Sequence, residues 1–108
     1  MALIVADLSI QLIERLRPLV PRIKSRDKSL ADQIQRAASS IVLNIGEAEY
    51  SDPGNRRARF HTAAGSAGET RAAVQLAVSW GIVPRADGEP ATALLNRMLP
   101  MLWKLTRR

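Results

Sequence analysis

Val5, Leu8, Leu12, Leu16, Leu19 and Ile23 recur at steps of three and four, the apolar stripe of an amphipathic helix. Ala6, Ile13 and Val20 run beside it. Pro18 and Pro21 each remove a donor from this ladder, so the helix kinks or restarts near Arg17. Asp27 or Ser29 can cap a second helix, with Leu30, Ile34, Ala37, Ile41, Ile45 and Ala48 on its inner face. That helix ends near SDPGN, residues 51–55, where Pro53 and Gly54 punctuate the chain. A third starts just beyond Gly54, with Phe60, Ala63, Ala67, Val74 and Ala77 on one face and Ala73, Leu76 and Trp80 on another; Gly81 and Pro84 close it. PRADGEP, residues 84–90, reads as a turn, and residues 91–105 as a fourth helix with Leu95, Met98, Leu102 and Leu105 inward and a bend at Pro100.

No segment sustains polar–apolar alternation, so strands are not expected. Four helices with short connections imply antiparallel neighbours. The expected fold is all-α, an antiparallel up-down-up-down four-helix bundle forming a single domain over residues 1–108.

AAGSAGET, residues 63–70, interrupts the third helix with Gly65 and Gly68, each costing roughly 1 kcal/mol relative to alanine. A tight crossing, with two main chains in close approach, would offset that cost. Folding the second helix back on the third about residue 53 pairs positions whose numbers total about 106, because both helices rise equally per residue. Ser40 then faces Ser66, Arg36 is level with Glu69, and Asn44 lies near Thr62. Asn44 falls on the apolar stripe and needs polar partners. Arg36 and Glu69 are expected to form a bidentate pair that fixes the register.

LADQIQRAASSIVLNIGEAE and AAGSAGETRAAVQLAVSWGIV resemble the four-helix-bundle proteins encoded in intervening sequences of bacterial ribosomal RNA genes. The matching residues are Gln33, Arg36, Ala37, Ser40, Ile41, Asn44, Ile45 and Glu47 in one helix, and Gly65, Ser66 and Glu69 in the next. Where that family often has glycine after the glutamate, and a basic residue shortly beyond, this chain has Ala48, Tyr50 and Ser51. The resemblance implies a homopentamer. It also implies kinship with the accessory variability determinant of diversity-generating retroelements, a basic barrel that associates with a reverse transcriptase and nucleic acid, so RNA or DNA is an expected partner.

The two apolar lines of the first helix and the broad apolar surface of the third independently suggest self-association, since one core cannot cover both. There is no cysteine, which excludes disulfides, thiolate zinc sites and cysteine nucleophiles. MALIVA is apolar, but no basic region precedes it and Asp7 interrupts it. Neither a signal peptide nor a membrane span is expected, and a cytoplasmic protein is.

The formal charge of +6 favours polyanionic partners. Helix dipoles account for acids at helix starts and bases at helix ends, but not for Arg56, Arg57 and Arg59 at the start of the third helix. Two readings stand: ion pairing with Glu47 and Glu49 across the turn, or phosphate binding. Arg56, Arg57, Arg59, Lys104, Arg107 and Arg108 gather at one end of an antiparallel bundle, where an oligomer would multiply them into rings that grip phosphates without reading bases. Mid-helix Arg15, Arg17, Arg71 and Arg97 form the other candidate patch. With aromatic residues at 4%, no stacking platform is expected, so binding should be weak, nonspecific and salt-sensitive.

His61 has Ala58 three residues before it and so lacks the Glu-x-x-His pattern of di-iron bundles; a surface or interface position is expected for it. Ser66 is five residues from His61 and does not face it, which leaves no nucleophile and base pair. The expectation is a non-enzymatic protein without metal or cofactor, binding nucleic acid or accessory to a nucleic-acid enzyme. The rival is a protein-interaction scaffold whose basic charge is incidental.

Overall fold

A computed structural model describes residues 1–107 and arranges them as α1 (Ala2–Leu16), α2 (Leu19–Lys24), α3 (Lys28–Ala48), α4 (Pro53–Ser79) and α5 (Arg85–Leu105). The restart expected near Arg17 is present. Pro18 is the N-cap of the short α2, which continues the course of α1. The four long helices run antiparallel, and each packs on two others: α1 on α3 and α5, and α4 on α3 and α5. α1 and α4 therefore occupy opposite corners of the bundle.

The core is the set of stripes read from the sequence. Val5, Leu12, Ile34, Ile41, Phe60, Val74, Leu95, Met98 and Leu102 are fully buried. Asp27 caps α3 by accepting from the Leu30 amide at 3.0 Å. Asp52 caps α4 by accepting from Asn55 N at 3.0 Å and from Asn55 Nδ2 at 2.8 Å. These bonds satisfy helix-start donors that would otherwise lack partners. α4 thus begins at Pro53, two residues before the expected start just beyond Gly54, because proline at the first helical position gives up a donor that is idle there.

α4 ends at a glycine whose role is conformational. Gly81 has φ +74°, its amide donates to Val78 O, and Ile82 N donates to Ala77 O. This is the Schellman arrangement, which needs a left-handed residue after the helix.

The expected turn over residues 84–90 is instead the first part of α5, and Pro90 lies inside that helix. Two contacts outweigh the local breaker. Arg22 at the end of α2 bridges to Asp87 in the first turn of α5 at 2.8 Å, each charge complementing its own helix dipole. Gly88 is buried, and a methyl group there would stand 3.1 Å from Val78 Cγ2 and 3.4 Å from Val74 Cγ1. Here the main chain of α5 closes on α4.

Gly65 and Gly68 do not make the crossing expected of them. A methyl group on either would meet nothing within 4 Å, and Gly65 points outward. Ala63, Ala64 and Ala67 in the same stretch are the residues buried in the core.

Candidate nucleic-acid interface

The register expected between α3 and α4 holds at two rungs. Ser40 Oγ and Ser66 Oγ are 2.9 Å apart, and Arg59 Nη1 lies 3.0 Å from Glu47 Oε2. Asn44 is level with Thr62 but turns back along its own helix, donating to Ser40 O at 2.8 Å and Ser40 Oγ at 3.1 Å. Thr62 likewise donates within α4, to Ala58 O.

Arg36 and Glu69 form no ion pair. Glu69 follows Ser66 by three residues, which turns it about 60° away from the seam, and its side chain is exposed. Arg36 is also exposed and lines an open hollow with Lys28, Asp32 and Gln35 on the outside of α3. Helices level in register still fail to pair side chains that both lean toward water.

At the end of the bundle where α4 starts and α5 finishes, the arginines are not equivalent. Arg59 is held by Glu47, as the ion-pairing reading expects. Arg56 places its guanidinium carbon 5.4 Å from the centroid of the buried Phe60 ring, within cation–π range. Arg56 and Arg57 line a hollow of about 340 Å³ with Ser51, Pro53 and Leu105. The carboxyl of Asp52 is held below its ordinary range, first by the Asn55 amide, then by the Asn55 side chain, with smaller help from the Gly54 amide and the Arg57 charge. Lys104 and Arg107 are exposed and take part in neither of the two ion pairs among the described residues. Arg108 lies outside the described residues.

Higher on the α4–α5 seam, Arg71 Nη1 donates to Asn96 Oδ1 at 2.9 Å, and Arg97 is exposed. Arg15 and Arg17 lie on the other side of the bundle, and Arg17 lines an apolar groove between α1, α2 and α3. The two expected patches therefore divide differently: Arg57, Arg71, Arg97, Lys104 and Arg107 follow α4 and α5, whereas Arg15, Arg17 and Arg59 do not belong with them.

The sequence contains no aspartate or glutamate from residue 53 to 68, nor from 90 to 108. These two stretches meet at one end of the α4–α5 seam, so Arg97 and Lys104 have no carboxylate side chain on their own stretch of α5. Sequence reading also missed an aromatic contact there. His61 of α4 and Trp103 of α5 meet at right angles, with ring centroids 5.3 Å apart and an interplanar angle of 84°. That contact depends on the α4–α5 register, which could not be derived while residues 84–90 were read as a turn.

No group of three or more His, Cys, Asp or Glu residues that could hold a metal ion occurs among the described residues. None of the described helices is long and apolar enough to cross a membrane.

The model of the 23S rRNA-intervening sequence protein family matches residues 1–104. The chain belongs to this family. A crystal structure of a protein of unknown function from the S23 ribosomal protein family of Bacteroides thetaiotaomicron has the same fold, with a TM-score of 0.87. It is 22% identical, and the similarity covers 96% of this chain and 99% of the other. No curated protein matches the chain.

Proposed function

We propose that the protein is a non-enzymatic, homo-oligomeric helical bundle that binds nucleic acid through phosphate contacts along the α4–α5 seam, alone or as accessory to a nucleic-acid enzyme such as a reverse transcriptase. The observation that carries this reading is the seam itself: Arg97 and Lys104 on α5, and Arg107 just beyond it, lie in a stretch of sequence without a carboxylate side chain. Uncompensated cations of this kind attract a polyanion and release its counterions. The family's link to intervening sequences of ribosomal RNA favours RNA as the ligand.

Self-association is supported by apolar surface on opposite corners. Leu3, Ile4 and Ile10 are exposed on α1, and Leu76 and Trp80 on α4. Different patches on opposite sides suit a head-to-tail contact that closes into a ring, and the resemblance to ribosomal intervening-sequence proteins makes five the expected number of copies.

Titrating the protein with single-stranded RNA and DNA at rising salt tests the reading. Affinity should fall with a log–log slope of about −0.7 per phosphate neutralised, and replacing Arg97, Lys104 and Arg107 with glutamine should flatten the slope by about 2. Absence of binding at the lowest salt would overturn it; binding unaffected by the triple replacement would move the contact elsewhere on the molecule.

A further inference from the structure

Exposed aromatic side chains on this bundle are of two kinds. Tyr50 and Trp80 are 89% and 72% exposed and make no ring contact. Trp103 is 40% exposed and is braced by His61, the one ring–ring contact among the described residues. Trp103 is not required by the core, because the inward line of α5 runs through Leu95, Met98, Leu99, Leu102 and Leu105. A large apolar ring is thus half open to solvent and fixed in place. The perpendicular packing holds the indole without laying the imidazole flat over it.

The charged side chains on the two segments that meet at this ring, residues 53–68 and 90–107, are all basic. His61 follows Arg57 by four residues on α4, and Arg107 follows Trp103 by four, just past the end of α5. Because the helices are antiparallel and His61 meets Trp103, Arg57 lies one turn back along α4 toward the end of α5, about 6 Å along the axis. Lys104 adjoins the indole in sequence, and neither helix segment carries an acid.

Single-stranded nucleic-acid sites combine an aromatic face for a base with cations for the neighbouring phosphates. A duplex cannot use such a face without unstacking, since its bases are already stacked on one another. We infer that Trp103, braced by His61, is a stacking platform for one unpaired base, and that Arg107 and Lys104 hold the adjoining phosphates. This rests on the nucleic-acid reading above and adds to it a site and a preference for single strands.

The test uses the full chain and oligoadenylate, with an RNA duplex as comparison. Trp103→Ala should weaken oligoadenylate binding by about 5- to 150-fold with the salt slope unchanged and duplex binding unaffected. Trp103→Phe should retain most of the affinity, and Arg107→Gln should lower the slope by about 0.7. In a Trp80→Phe background, oligoadenylate should quench the remaining indole fluorescence, and circular dichroism checks that each variant is folded. Full oligoadenylate affinity in Trp103→Ala would overturn the inference while leaving the phosphate reading intact. Failure of the unaltered protein to bind any nucleic acid would overturn both. Loss of assembly in Trp103→Ala, seen by sedimentation, would overturn the stacking site by assigning the indole to a contact between copies.

Discussion

The hydroxyls of Ser40 and Ser66 meet at 2.9 Å across the α3–α4 seam, and both belong to a larger chain of bonds. Asn44 donates to Ser40 Oγ, and Thr70 donates to Ser66 O at 2.8 Å. The contact fixes the register of two helices whose other seam residues are mostly alanines, which slide easily past one another. Ser40→Ala should cost about 1 kcal/mol, since it leaves a partly buried Ser66 hydroxyl and the Asn44 amide short of a partner. Urea denaturation of the two single variants and the double should show a coupling of about 0.5 kcal/mol or more, because contacting residues are not additive. Strict additivity would mean that this hydroxyl pair does not set the register.

The glycines of α4 and α5 should respond in opposite senses. Gly65→Ala and Gly68→Ala add a methyl group to open space, so each should stabilise the dilute protein by about 0.5 to 1 kcal/mol through helix propensity. Gly88→Ala brings its methyl group against Val78 Cγ2, a β-branched side chain with little rotamer freedom. It should destabilise by about 1 kcal/mol net of the propensity gain. Melting temperatures that move together would contradict this division.

Gly81→Ala should destabilise by about 1 to 2 kcal/mol, the cost of forcing an ordinary residue into the left-handed region. Asparagine tolerates that conformation better, so Gly81→Asn should recover part of the loss. Equal melting curves for glycine and alanine at this position would show that the chain can end α4 another way.

Asp52 sets a small acid-dependent term. Its folded carboxyl titrates below the ordinary value of 3.8, so the unfolded chain takes up its proton first as the pH drops. The stabilisation is complete above that value and fades as the pH falls toward the lowered folded value. Asp52→Asn keeps a cap but removes the titration. The melting-temperature gap between the parent and Asp52→Asn should therefore be constant near neutrality and narrow below about pH 4. A gap that widens in acid would have the wrong sign.

Ala72 lies on the exposed face of α4, one turn before Leu76. In an isolated subunit Ala72→Glu should change the melting temperature little, as surface substitutions usually do. In the proposed assembly it buries an unpaired charge against a neighbouring copy. Sedimentation should then show a smaller particle with unchanged helix content. An undiminished mass would place the subunit contact on another face.

Much of this fold was legible because apolar spacing and helix caps are local. Asp27, the α1 stripe and the break before Pro18 depend on residues a few positions away. The Ser40–Ser66 and Glu47–Arg59 rungs were legible because the connection between α3 and α4 was located correctly and equal rise did the rest. Residues 84–90 were misread because proline and glycine signal a turn locally, whereas the Arg22 bridge and the Val74–Val78 surface that keep them helical are distant in sequence. That error hid the α4–α5 register, and with it the His61–Trp103 contact. Gly65 and Gly68 were over-read for a related reason: their spacing gives a face but not which way the face points. The cations of the candidate site could be named in advance, and ion pairing with Glu47 was one of two readings for Arg59, but the open position of Arg36 and the meeting of two carboxylate-free stretches at one seam emerge only when the helices are assembled.

The ring of neighbours closes where α1 meets α5, the two ends of the chain. Every other long-helix contact joins consecutive long helices, and the α3–α4 pair is linked by only a few residues. Closing a short loop costs little entropy, and contacts near in sequence form fast. The α3–α4 hairpin can therefore assemble early, whereas the terminal helix must wait for α5 to complete its berth. On a ribosome α1 would consequently keep its oily flank uncovered until α5 has emerged.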